Sequence, residues 1–225
     1  RSFHMFWLAG HFGRPEYAWH AARYAPAVPS AFDIIWYQAD QKSPKEAGTP
    51  LDAWFRNVDI VFLREAWEDP GAAYVGFKGG RNDANHGHLD LGSFVFDAGG
   101  CRWAEDLGRD DYSLPLYFEF GKGLYYRLKT EGHNTLLFNG KGQRPGATAP
   151  VVAFRSEPGR AFAVADLSQA YGLGSGAVRR MAALVHRRDL AIADRFRLDT
   201  PAGVTWQMHT RAQVEVHDNT ATLRQ

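Results

Sequence analysis

The stretch FKGGRNDANHGHLDLGSFVFDAGGCRWAEDLGRDDY, residues 77–112, decides how the chain is read. Its second half carries a β-type run, Gly92 to Ala98, that halts at Gly99 and Gly100, a pair suited to a tight hairpin. Its first half is polar and sets His86, His88 and Asp90 at alternate positions. In an extended strand, side chains two apart share a face, so these three can point into one site. Two imidazoles on one face suit a divalent metal or an acid/base pair. The same spacing also occurs in polar loops whose rings meet only solvent or backbone, and by itself it decides nothing.

Ligand types recur further on, with Asp97, Glu105 and Asp106 in FDAGGCRWAEDLG and His133 in TEGHNTLLFNG. Two His and one carboxylate would satisfy zinc or another first-row metal with a position left open. A hairpin turning at Gly99 and Gly100 pairs Asp106 near Ser93, several residues along the strand from His88. At about 3.3 Å per residue a straight ladder keeps Asp106 and His88 apart, so a bend or bulge is required, with Gly87 and Gly92 as the obvious places. A cupin reading competes, because Gly80 is followed by five residues and then His-x-His. The glutamate a cupin needs shortly afterwards is missing, since Gly92 and Ser93 stand there.

Outward from this stretch, short β-type runs divided by Gly and Pro turns fill the chain from about Asp59 onward: 59–67, 72–80, 92–100, 133–140, 160–168, 182–196 and 204–216. Asp189 falls between two apolar runs, which makes 182–196 a hairpin. This rhythm predicts an antiparallel sandwich or a stack of sheets. Before it, residues 3–24 place aromatics at helical intervals with Gly13 and Pro15 between two sets, and 31–40 reads as a short helix after a break at Pro26 and Pro29. The polar stretch QKSPKEAGTP at 41–50 is the best linker, and the expected domains are 1–45 and 46–225. The class is therefore α+β, mainly β.

With 225 residues, 45% of them hydrophobic, the chain can bury one large core or two modest ones. Its 26 basic and 25 acidic residues leave a formal charge of +1, so nothing demands nucleic acid or a membrane surface as a partner. No apolar run reaches the length of a membrane span. One cysteine, Cys101, excludes an intrachain disulfide. Aromatic residues make up 14%, which fits either a β-rich core or a sugar-stacking cleft. The first residues lack an initiating Met and the last ones stop within a strand-like run, so the chain is expected to be a fragment at both ends.

Taken together, residues 77–112, YYRLKTEGHNTLLFNGKGQ at 125–143 and AALVHRRDLAIADRF at 182–196 resemble the β-domain of heparinase II/III-like polysaccharide lyases. The resemblance implies that residues 1–45 are the last helices of an α/α toroid and that 46–225 are an antiparallel β-sandwich, incomplete at both ends. It implies β-elimination on uronate-containing polysaccharides of the glycosaminoglycan or alginate type, with an anionic polysaccharide as partner and a periplasmic or secreted location. Residue by residue, it makes His88, Asp106 and His133 the ligands of a structural zinc, and His86 the sheet-domain member of the catalytic group. The family's principal Tyr and its Asn or His helpers come from the toroid upstream, so the segment alone is expected to be inactive. The competing reading is a non-catalytic carbohydrate-binding or metal-stabilised β module.

Smaller expectations attach to Asn82 and Asn85 as donors to a substrate carboxylate, although an Asn in a glycine-flanked loop is more often a turn former. Arg81, with Lys78 and Arg109, is expected to bind uronate or sulfate. Tyr112 and Tyr117, like Tyr125 and Tyr126, border the metal blocks and are candidates for stacking on a sugar. His186, read as part of a strand, and His209 are expected to be structural.

Overall fold

A computed structural model describes residues 3–24, 28 and 30–225. The break at Pro26 and Pro29 lies outside them. Two compact units emerge, one running to Leu51 and including Trp67–Asp69, the other formed by Asp52–Ala66 and Pro70–Gln225.

The first unit is helical: α1 His4–Phe12, α2 Pro15–Arg23 and α3 Ala31–Ile35. Gly13 ends α1 with a left-handed φ of 61°, a conformation that costs glycine little, and Pro15 opens α2 where its missing N–H is no loss. Ser30 and Asp33 close a capping box on α3. Phe6, Ala9, Ala18 and Ala21 are buried between α1 and α2. Three helices do not themselves make a toroid. None of the described helices is long and apolar enough to cross a membrane.

The second unit begins with β1 Ala53–Phe55, β2 Ile60–Arg64, β3 Tyr74–Lys78, β4 Gly80–Arg81, β5 Phe94–Ala98 and β6 Cys101–Ala104. Helix α4, Tyr117–Leu124, and two short 3-10 turns intervene before β7 Leu136–Phe138 and β8 Thr148–Ala149. The remainder is β9 Val151–Glu157, β10 Arg160–Asp166, β11 Ala177–Val185, β12 Asp189–Arg197, β13 Val204–Trp206, β14 Gln213–His217 and β15 Thr220–Arg224. All pairings are antiparallel: a five-stranded sheet in the order β1-β2-β3-β5-β6, a four-stranded sheet β12-β11-β10-β9, and the pairs β13-β7, β14-β15 and β4-β8.

Period-2 alternation builds the core. Val61, Leu63, Val75, Phe77 and Phe94 of the larger sheet and Ala161, Ala163, Ala165, Val178, Ala182 and Leu184 of the other belong to one buried apolar cluster, which makes the unit a sandwich. Burying each large side chain contributes about 1.5–3 kcal/mol.

Three expectations about strands need correction. Residues 204–216 are not one run, because β13 ends at Trp206 and β14 starts only at Gln213. His186 is not in a strand; with Arg187 it occupies the β11–β12 turn at φ 51° and 60°, and its side chain is largely exposed. The His-x-His stretch is not extended either, since residues 82–92 form an irregular loop.

At that same β11–β12 turn, Arg187 reaches back to the start of the unit. Its Nη1 donates to both Asp52 oxygens (2.8 and 2.7 Å) and its Nη2 to the Glu157 carbonyl, while Ser156 Oγ also donates to Asp52. The Asp52 side chain is fully buried by these partners.

Candidate active site and metal centre

The loop between β4 and β5 sends neighbouring histidines in different directions. His86 has a φ of 55°, which breaks any strand alternation, and its exposed ring lies 6.0 Å from Tyr112 in a stacked arrangement and 6.4 Å from Phe118 edge-on. His88 turns inward, half-buried, with its ring 5.2 Å from that of His133. The chain then doubles back: Ser93 N donates to the Asp90 carbonyl (3.0 Å) and Gly92 N to that of Lys78 (2.7 Å). Gly92 sits at φ 77°, and a Cβ there would stand 2.9 Å from Leu167 Cδ1, so this reversal needs glycine. The bend needed to bring Asp106 near the histidines therefore comes partly from Gly92. A bulge at Trp103 supplies the rest, because Phe96 pairs with Ala104 while Asp97 pairs with Arg102.

Side chains, rather than a ladder, hold this loop. Gln143, buried, accepts from Leu91 N (2.9 Å) and Asn82 Nδ2 (3.1 Å) through Oε1, and its Nε2 donates to the Leu91 carbonyl (2.7 Å) and the Tyr171 hydroxyl (3.1 Å). Arg180, fully buried in β11, forms a two-pronged pair with Asp194 at 2.7 and 2.8 Å. Its Nη1 also donates to the carbonyls of Gly92 (3.1 Å) and Asn134 (2.9 Å), tying the two histidine-bearing segments together. Asn134 Nδ2 in turn donates to the Phe94 and Glu105 carbonyls at 2.7 and 3.0 Å, which fixes Asp106 next in the chain. Lys122 of α4 donates to the Asn82 carbonyl at 2.5 Å, closing the loop from outside.

His133 is fully buried, with Nδ1 3.0 Å from Asp106 Oδ2 and Nε2 without any partner. Burial would raise the Asp106 pKa, yet the hydrogen bond and charge of His133, with the Gly108 N–H, prevail and hold it at about 2. Burial, then the neighbouring His133, pushes His88 below its usual pKa, favouring the neutral ring that binds metals. Among the described residues, His88, Asp90 and His133 bring ligand atoms within 4.8 Å of one another, and Asp106 stands one hydrogen bond from His133. Of the ligands expected from sequence, His88 and His133 thus meet directly and Asp106 joins through His133. An orphaned buried imidazole nitrogen beside a second imidazole and a carboxylate is a donor set that fits zinc or a similar divalent metal.

His86, Asn85, Arg109, Tyr112, Tyr117 and Lys122 are among the residues lining a cavity of about 790 Å3. Arg109 lies over the Tyr112 ring at 4.5 Å. Tyr117 is nearly buried, and burial raises its pKa, so it offers little ring surface for stacking. Asn82 needs correction, because it is fully buried and its amide donates to Gln143 and the Arg144 carbonyl; it shapes the loop instead of meeting a substrate. Arg81 is exposed and paired with Asp83 (2.8 and 2.7 Å). Lys78 pairs with Asp90, and Tyr125 donates to the Pro115 carbonyl. His209 has contacts of the structural kind expected of it: its backbone N–H donates to Asn134 Oδ1 (2.6 Å) and its Nε2 lies 3.1 Å from the Tyr126 hydroxyl.

The family model described as heparinase II/III-like, C-terminal, matches residues 47–225. The chain belongs to this family. Among solved structures, a mutant of the heparan sulfate lyase HepC from Pedobacter heparinus aligns with a TM-score of 0.69 at 16% identity, over 96% of this chain and 30% of that one. A heparinase III gene product gives 0.68 at 16% identity, over 93% and 29%. Another heparinase III structure gives 0.63 at 14% identity, over 94% and 30%. No curated protein matches the sequence. The chain thus spans about 30% of the length of these structures, and at such identities they show the shared fold. The family resemblance and the mainly β, antiparallel class read from the sequence both hold.

Proposed function

We propose that this heparinase-like domain supplies one side of a polysaccharide lyase site for uronate-containing chains of the glycosaminoglycan or alginate type, acting in the periplasm or outside the cell. The observation that carries the reading is His86, exposed over a cavity with Arg109 and Lys122 while the loop behind it is held rigidly from within. In β-elimination a base takes the C5 proton, a C4–C5 double bond forms, and the C4–O4 bond breaks as an acid protonates O4. The C5 proton becomes acidic enough only when the adjacent carboxylate is neutralised by donors. His86 either donates to that carboxylate or moves a proton, and Arg109 and Lys122 supply positive charge for the polyanion.

Zinc held by His88, His133 and a carboxylate would fix the loop that presents His86, and its role is structural. Incubating the complete protein with heparan sulfate, chondroitin, hyaluronan and alginate, while following the ultraviolet absorbance of the unsaturated product, tests the reading. Absorbance should rise on one of these and fall by about 100-fold or more in His86→Ala, the lower range for a proton-transfer group. No product on any polymer sinks the lyase reading in favour of a binding module, and full activity of His86→Ala sinks that residue's role.

A further inference from the structure

The four-stranded sheet carries positive charge on the face turned away from the core. In β11 the side chain of Arg180 points inward to Asp194, so those of its strand neighbours Arg179 and Met181 point outward. The register sets Arg179 between Asp166 of β10 and Arg195 of β12, and Arg197 stands two residues beyond Arg195 on the same outer face. Like charges directly opposite one another destabilise a sheet, so folding alone gives no reason for this row. A charge on β12 can guard the edge of the sheet, but Arg179 lies on an inner strand where no edge needs guarding.

Neighbouring acids do not neutralise the row. Asp166 Oδ1 accepts from Ser168 N and Oγ at 3.0 and 2.5 Å, and its Oδ2 lies 3.4 Å from Arg179 Nε. Asp194 turns inward to Arg180, and Asp199 is held by Ser175. Among the described residues, the guanidinia of Arg195 and Arg197 have no hydrogen-bond or ion-pair partner, and both residues are exposed. Beside them the floor is low, with Ala193 opposite Met181 and Ala191 opposite Ala183, so a bulky chain can lie close to the backbone.

Resting on the reading that this protein acts on uronate-containing polysaccharides, we propose that Arg179, Arg195 and Arg197 form a second binding surface, outside the cavity that His86 lines, for a sulfated stretch of the same polymer. Guanidinia grip sulfate and carboxylate in a two-pronged fashion, and three of them sharing one acid match a chain that carries sulfate as well as carboxylate.

Heparan sulfate binding by the complete protein tests it. The triple variant Arg179→Gln/Arg195→Gln/Arg197→Gln should bind about tenfold more weakly, the sum of three exposed ion pairs, and the loss should fade as salt rises. Arg160→Gln, at the other end of the same face and paired with Glu157, should bind as the wild type does. In the wild type, bound heparan sulfate should shield the three arginines, but not Arg160, from an arginine-selective dicarbonyl reagent, a readout that needs no variant to fold. Wild-type affinity in the triple variant, or no shielding, overturns the surface. Equal affinity for desulfated polymer overturns the assignment to sulfate. Where unsaturated product forms, the triple variant should show a raised KM and an unchanged kcat. Product with an unchanged KM sinks the surface and leaves the lyase reading standing; shielding without product on any polymer does the reverse.

Discussion

The hairpin β11–β12 and the loop 82–92 lie in the same sheet unit and are stabilised by different means. In the hairpin, nine residue pairs from Ala177↔Arg197 to Val185↔Asp189 carry a continuous backbone ladder, and its side chains are free to alternate. In the loop, the backbone groups of Leu91 and Gly92 find their partners in Gln143, Thr135, Arg180 and Lys78. A ladder tolerates many sequences, but a loop held by named side chains depends on each one. That dependence suits a site, because it sets His86 and His88 in different environments only two residues apart.

The largest way to break this contrast is Arg180→Ala, which leaves Asp194 unpaired and two carbonyls without donors. It should cost about 3–5 kcal/mol in denaturant unfolding, the range for removing one partner of a buried ion pair. A loss as small as that of an exposed strand residue would mean that the ladder, not Arg180, holds the loop.

Tyr171→Phe sharpens it at an intermediate scale. The hydroxyl bonds Gln143 and Thr135, so about 1 kcal/mol should be lost at neutral pH. Burial raises the Tyr171 pKa above its ordinary 10.0. Above that value the unfolded chain loses this proton while the folded chain keeps it, so wild-type stability must fall as pH rises further. The variant lacks that contribution, and the difference between the two should shrink in unfolding curves taken through the alkaline range.

The smallest effect belongs to His86→Ala. Exposed at a positive φ and free of buried partners, it should change stability by no more than about 0.5 kcal/mol, which thermal unfolding can check, even where activity is lost.

Much of the fold was legible because its ladders obey a period of two. Val178, Arg180, Ala182 and Leu184 fall on the buried face of β11, so even Arg180 could have been picked out as an inward charge in an apolar run. The site was legible only by family resemblance, which singled out His86, His88, Asp106 and His133. Local pattern misled in the loop, where an assumed strand put His86, His88 and Asp90 on one face. The φ of His86 sends it away from the other two, and no spacing rule reports a side-chain network such as Gln143 with Asn82 and Tyr171. Asn82 failed as a substrate contact for the same reason: its partner, Gln143, is 61 residues away in the chain.

The Asp52 carboxylate, buried against Arg187 and Ser156, bears on how the sheet unit is to be produced by itself. A shortened version opened at Ala53, where the first strand begins, would strip the guanidinium of its anion and leave the β11–β12 turn with a cation held only by backbone carbonyls. The place to cut is upstream of Leu51, and a product begun at Ala53 should express as the less soluble of the two.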